Sequence, residues 1–176
     1  MHTAYTAPVR LGESVIPGLA AAKSALRESE FLYPMPEPAH PLLSRPSGSS
    51  LDPSWKIERG AVKGFIDLLF EHEGRVYVCD WKSDLLPSYE AAALAHHCEE
   101  HYDVQARLYV IAALRLCGIA DPAEYGRRFG AVLFCFLRGR RPGGEREGMH
   151  CFTPTWDAIL AWETEMLGQP FWGLAR

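Results

Sequence analysis

Several features are missing from this chain of 176 residues, and each absence removes a class of protein. No Cys-x-x-Cys pair occurs, and the five cysteines (Cys79, Cys98, Cys117, Cys135 and Cys151) are widely spaced and odd in number. That spacing argues against a zinc ribbon, an iron–sulfur cluster or a disulfide scaffold. Reduced cysteines set in apolar runs point to a cytoplasmic protein. No apolar run approaches the roughly eighteen residues of a membrane helix, and the N-terminus lacks a signal-peptide core, so no membrane partner is expected. The phosphate-binding loop G-x-x-x-x-G-K-[ST] is absent too, and no internal repeat is visible. With a net charge of −4 the chain does not coat nucleic acid through bulk charge.

What is present suits one globular domain over 1–176, being 48% hydrophobic and 23% charged. Residues 1–27 read as an N-terminal extension with at best a short helix near Ile16–Leu26. A short strand follows at Glu28–Tyr33. Residues 34–54 hold six prolines and five serines and predict an irregular loop. Strands are expected near Ile57–Phe70 and Arg75–Lys82. Pro87-Ser88 opens a helix through Tyr89–Glu100, and after a bend near His101–Asp103 a second runs from Val104 to Cys117, stopping at Gly118. Phe129–Leu137 reads as a central strand buried on both faces, and Met149–Phe152 as another. Thr153-Pro154 caps a final helix, Thr155–Leu167. The pattern predicts an α/β fold, a mixed sheet flanked by helices.

Asp80-Trp81-Lys82, thirteen residues beyond Asp67, closes the second strand of a hairpin signal. Residues i and i+2 of a strand share a face, so Asp80 and Lys82 point one way and Trp81 the other. A two-residue loop at Glu73-Gly74 pairs His72 with Arg75 and sets Asp67 opposite Asp80. A four-residue loop makes the two diagonal neighbours, and an uncompensated three-residue loop puts them on opposite faces. Directly opposed, their Cβ atoms lie roughly 4.5–5.5 Å apart, where like charges destabilise a sheet. A hard divalent cation relieves that repulsion. Mg²⁺ takes one or two carboxylates, several waters and phosphate oxygens, a donor set suited to phosphodiester chemistry. A surface hairpin carrying an Asp/Lys pair is the plainer alternative.

Other candidates depend more on context. Lys82 either reaches an attacking water and phosphoryl oxygens or snorkels at a sheet edge. Gln105 and Tyr109 share a helix face and can bond a phosphate or base edge, hold Lys82, or simply sit half-buried. His96, His97 and His101 read as a polar helix face, because H-E-x-x-H is absent. His72 falls at the turn and is expected to be exposed. Arg127, Arg128, Arg138, Arg140, Arg141 and Arg146 share a stretch with one acid, Glu145, and form either a phosphate-contacting rim or a solvated loop.

Gly64-Phe65-Ile66-Asp67, Asp80-Trp81-Lys82-Ser83 and Gln105-x-x-x-Tyr109, in that order, resemble the nuclease domain of RecB subunits of RecBCD-type helicase–nucleases. That group lies within the PD-(D/E)XK, restriction-endonuclease-like superfamily. The resemblance runs from about Glu28 to Leu167 and includes Tyr102-Asp103-x-Gln105 and Phe136-Leu137-Arg138-Gly139. It implies a restriction-endonuclease-like core and an exodeoxyribonuclease V-like, Mg²⁺-dependent deoxyribonuclease. Mn²⁺ or Ca²⁺ would substitute in binding. The substrate implied is single-stranded DNA delivered by a helicase in double-strand break repair, with other RecBCD-type subunits as partners. Asp67, Asp80 and the backbone carbonyl of Trp81 would hold the metal, with Lys82 and Glu28 catalytic and Gln105 and Tyr109 on the DNA. Glu30 competes with Glu28 for the acidic position on the preceding strand. The family also has a histidine ligand on a helix upstream of the first strand. No comparable segment precedes β-structure here, and His2 does not lie in similar sequence, so weakened metal binding is expected. The alternative reading is a non-catalytic DNA-binding or subunit-contact module that retains the fold.

Overall fold

A computed structural model describes residues 5–22, 24–34, 56–58 and 61–167. The expected Pro/Ser-rich loop lies, apart from Pro34, outside the described residues, as does His2.

One mixed sheet organises these residues. Its strands are β3 (Ser24–Pro34), β4 (Lys56–Glu58), β5 (Ala61–His72), β6 (Arg75–Lys82), β7 (Phe129–Phe136) and β8 (Met149–Phe152), and β1 (Val9–Leu11) and β2 (Ser14–Ile16) form a separate hairpin. The sheet runs β3-β5-β6-β7-β8, and β4 also pairs with β5. All neighbours are antiparallel except β6 and β7, which are parallel. A parallel pair needs a long crossover. Here α1 (Ala91–His101), α2 (Asp103–Leu116) and α3 (Pro122–Arg128) supply it, and α4 (Trp156–Leu167) follows β8.

Both faces of the sheet are covered, but by different materials. Ile66, Leu69, Val78, Phe134 and Phe136 pack against the helices through Leu94, Leu108, Ile111 and Ile159. Leu68, Phe70, Tyr77, Cys79 and Leu133 pack instead against Val9, Leu11, Ile16 and Leu19 of the N-terminal segment. The Phe129–Phe136 strand is buried along almost its whole length, as its unbroken apolar run implies. Helix α2 is apolar nearly all round, with Leu108–Leu114 buried, because sheet and α4 enclose it.

Several local expectations change. No helix spans Ile16–Leu26: Ser14–Ile16 is a strand, Leu19–Ala21 a single 3₁₀ turn, and β3 begins at Ser24. The segment is too short to bury an amphipathic helix and gains more by laying Val9, Leu11 and Ile16 on the sheet. Helix α3 lacks the apolar periodicity that would announce it; its signature is the Asp121 side chain accepting from the Glu124 N–H, followed by Pro122. The last helix starts at Trp156, with Thr155 Oγ1 accepting from the Ala158 N–H, while Thr153 Oγ1 donates to the Gly130 carbonyl. The first helix starts at Ala91, with Glu90 as its N-cap residue. His72 is half-buried, its Nε2 3.1 Å from Ser14 Oγ.

Candidate active site

The hairpin turn sets the site. Glu73 and Gly74 both have positive φ (50° and 73°), the combination that a tight two-residue hairpin turn demands. Pairing runs from His72↔Arg75 to Leu68↔Cys79. One further step in that register reaches Asp67 and Asp80, where the ladder stops and Asp67 Oδ2 accepts a 2.9 Å hydrogen bond from the Trp81 N–H. Beyond it β6 stays paired with β7, through Asp80↔Phe134 and Lys82↔Phe136. The site therefore sits where the antiparallel partner leaves and the parallel partner remains.

On the other side of β5, pairing with β3 runs through Arg27↔Leu68 and Ser29↔Ile66 and skips the position between, which holds Glu28 and Asp67. Glu28 has φ 50°, a left-handed backbone that costs a non-glycine residue about 1–2 kcal/mol. The same irregularity appears in the burial: Ile66 and Leu69 face the helices, whereas Leu68 and Phe70 face the N-terminal hairpin. Glu28, Asp67 and Asp80 thus occupy adjoining positions on three neighbouring strands. Glu30 lies opposite Phe65 and pairs with Lys63 at 3.0 Å, away from this row.

Asp80 and Lys82 are each only 4% exposed. The Lys82 ammonium is 2.7 Å from Asp80 Oδ2 and donates to Gln105 Oε1 at 2.6 Å. Gln105 Nε2 donates to Tyr109 Oη at 2.8 Å and reaches Asp80 Oδ1 at 3.3 Å. Tyr109 Oη donates to Asp80 Oδ1 at 2.6 Å and lies 3.1 Å from the Phe65 carbonyl oxygen. Gln105 and Tyr109 share a face, as their spacing implies. That face is buried and turned to Asp80 and Lys82.

Burial is the main cause raising the Asp80 carboxyl above the ordinary aspartate range, and the Asp67 charge adds to it, while Lys82 and the Tyr109 hydrogen bond pull it back. Burial and Asp80 push the Tyr109 phenol far up, so it remains a proton donor. The described partner of Asp80 Oδ2 is the Lys82 ammonium at 2.7 Å, which leaves a lone pair unused. A buried carboxylate oxygen with an uncommitted lone pair, beside a second carboxylate, fits a hard divalent cation. Among the described residues no cluster of three His, Cys, Asp or Glu side chains is arranged to hold a metal. Asp67 and Asp80 would be the side-chain ligands, with waters or phosphate oxygens completing the shell.

Three residues outside the sequence candidates join this site. Asp84 continues the i, i+2 series of Asp80 and Lys82, and its two carboxylate oxygens accept from Tyr102 Oη at 2.8 and 2.9 Å. Tyr102, at the break between α1 and α2, lies under the Lys82 ammonium. His97 points inward, 3.6 Å from Asp84, whereas His96 and His101 are exposed as expected of a polar helix face. The i, i+2 spacing and the Tyr102-Asp103-x-Gln105 string were the available signals. Of the arginines, Arg140 is buried and donates to the Glu147 and Pro8 carbonyls, and Arg138 donates to the Ser83 carbonyl. Arg128 donates to the Cys117 carbonyl. Arg141 and Arg146 are exposed and line a cavity of about 490 Å³ with Ser88 and Tyr89.

A mixed sheet with helices on one face, and an acidic pair plus lysine at the end of its central hairpin, make up a restriction-endonuclease-like fold. The chain belongs to the PD-(D/E)XK nuclease superfamily, which matches residues 19–166. Its nuclease region is similar to RecB subunits of RecBCD enzymes. Identity is 41% over 103 residues to that of Escherichia coli K12 (54% of this chain) and 36% over 107 residues to that of Haemophilus influenzae (57%). It is 25% over 161 residues to that of Buchnera aphidicola from Acyrthosiphon pisum, covering 84% of this chain. The matched regions span 9%, 9% and 14% of those relatives' lengths. No described helix is long and apolar enough to cross a membrane.

Proposed function

We propose that this chain is a divalent-metal-dependent deoxyribonuclease domain that hydrolyses phosphodiester bonds of single-stranded DNA. The observation that carries this reading is the convergence of Asp67, Asp80 and Lys82 where β5 leaves β6. A Mg²⁺ ion bound there would polarise the scissile phosphate and lower the pKa of a bound water; Mn²⁺ would substitute. In hydrolysis the water oxygen bonds to phosphorus, the bond to the leaving sugar oxygen breaks, and that oxygen gains a proton. Asp80 and Asp67 supply the negative charge that a cation needs. The Lys82 ammonium, held between Asp80 and Gln105, offsets charge developing on the phosphoryl oxygens. Gln105 and Tyr109 keep both groups in place. Glu28, at the backbone position beside Asp67, would hydrogen-bond a water ligand of the metal. Similarity to RecB subunits supports a helicase that delivers the strand and partner subunits of the RecBCD kind, in double-strand break repair.

The test is cleavage of end-labelled single-stranded DNA across a Mg²⁺ titration, with Asp80→Asn as the control. Metal-dependent cleavage that Asp80→Asn abolishes supports the proposal. DNA binding by the wild-type chain with no cleavage at any Mg²⁺ or Mn²⁺ concentration would favour the non-catalytic module.

A further inference from the structure

Two kinds of surface close around the Lys82 ammonium. Asp80 Oδ2 and Gln105 Oε1 provide oxygens at 2.7 and 2.6 Å. Aromatic faces stand beside these oxygens: Nζ lies 3.8 Å from the ring centroid of Tyr102 and 5.3 Å from that of Phe134. We propose that Tyr102 is a positioning residue for Lys82. Its ring face fixes the ammonium, and the bonds from its hydroxyl to both carboxylate oxygens of Asp84 fix the ring.

The ring is held on every side that the contacts describe. It stacks on Phe134 with centroids 5.5 Å apart and planes at 26°, and His97 meets it edge-on at 5.6 Å. Asp84 is anchored in turn, because its carbonyl accepts from Tyr89 Oη at 2.8 Å. Desolvation first, then Asp84, pushes the Tyr102 phenol far above its usual range, which keeps its proton in place for the carboxylate. An ammonium within about 6 Å of an aromatic face is attracted by the ring quadrupole, by roughly 0.5–2 kcal/mol. That attraction aims the charge without neutralising it. A second carboxylate at that point, added to Asp80, would further offset the charge that the phosphate needs. The ring takes the ammonium on its face and Asp84 on its hydroxyl.

The proposal rests on the nuclease reading only for the step it serves, and its test separates the two. Side-chain NMR of Lys82 in the whole chain reports the contact directly, because protons on Cε above a ring face shift upfield. The shift is expected in wild type, reduced in Tyr102→Phe, whose ring is no longer latched to Asp84, and absent in Tyr102→Leu. Single-turnover cleavage should fall several-fold in Tyr102→Phe and about 100-fold in Tyr102→Leu, the scale of a misplaced catalytic group. Binding of single-stranded DNA and of Mg²⁺ should be unchanged in both. An unshifted Lys82 in wild type, or wild-type cleavage by Tyr102→Leu, overturns the proposal. If Tyr102→Leu does not fold, Tyr102→Phe decides: an unaltered shift with an unaltered rate overturns it. A wild-type chain that shows the shift but never cleaves counts against the nuclease reading and not against the contact.

Discussion

Tyr109 donates a 2.6 Å hydrogen bond to Oδ1 of Asp80, and this divides the carboxylate into two unequal halves. Oδ1 is committed to helix α2 through Tyr109 and Gln105, while Oδ2 faces the Lys82 ammonium at 2.7 Å. The helix orients the group, and the other oxygen is left to a positive charge.

Lys82→Ala should abolish cleavage and leave single-stranded DNA binding largely intact, because its charge matters as the transition state develops. Gln105→Ala should also slow cleavage, by loosening Lys82, and cost about 1–3 kcal/mol of stability by leaving buried polar groups without a partner. Single-turnover kinetics and filter binding at fixed salt check both, since phosphate contacts are salt-dependent. Wild-type cleavage by Lys82→Ala would make it a structural lysine.

Mg²⁺ should bind in the millimolar range, about −4 kcal/mol, because two carboxylates and no described third side-chain ligand serve it. Calorimetry decides this. Micromolar affinity lost in Glu28→Gln would identify Glu28 as the extra ligand.

Gly64→Ala should lower stability by about 1–3 kcal/mol, as overpacked cores do. A Cβ at this position would come within 2.5 Å of Phe31 Cζ. Phe31 meets Tyr109 edge-on at 6.2 Å, so the push reaches the group that holds Asp80. Urea denaturation measures the first effect, and cleavage by the folded variant measures the second.

Alkali should destabilise the native state more steeply than an average domain. Burial pushes the Cys98 thiol and the Tyr125 phenol each up to about 12, and Tyr102 and Tyr109 higher still. Groups whose folded pKa is raised favour folding fully below their unfolded values of 9.0 and 10.0, and that advantage is lost as pH rises toward the folded values. Melting temperature followed upward from pH 9, alongside tyrosinate absorbance, is the check. Ionisation of Tyr102, Tyr109 or Tyr125 near 10 before unfolding would contradict the burial.

The hairpin was legible because its information is local. Its register was not: the sequence allowed loops of two, three or four residues, and the positive φ of Glu73 and Gly74 selects the two-residue turn that sets Asp67 beside Asp80. Arg75–Lys82 and Met149–Phe152 were readable to the residue, also from local pattern. The N-terminal hairpin was not, since Val9, Leu11 and Ile16 adopt strands only because the sheet offers an apolar face more than fifty residues away in sequence. Tyr102 was hidden differently: its place under Lys82 depends on the bend between two helices, and no spacing rule relates it to Lys82. Gln105 and Tyr109 could be paired from sequence, but whether they faced the lysine or a nucleic acid depended on how deeply α2 is buried.

The described residues 5–22 meet the site from the far side of the sheet, where Tyr5 packs on Trp81 with ring centroids 4.8 Å apart, yet they decide whether the proposed chemistry can be studied in isolation. A fragment started at Ser24 would retain the whole acidic row and the lysine. It would also strip Leu68, Phe70 and Leu133 of their cover and cut the ties from Arg10 to Glu145 and from Arg140 to Pro8. The smallest piece that contains the reaction is therefore smaller than the smallest piece that can fold around it, and a silent short fragment would report on its trimming, not on its activity.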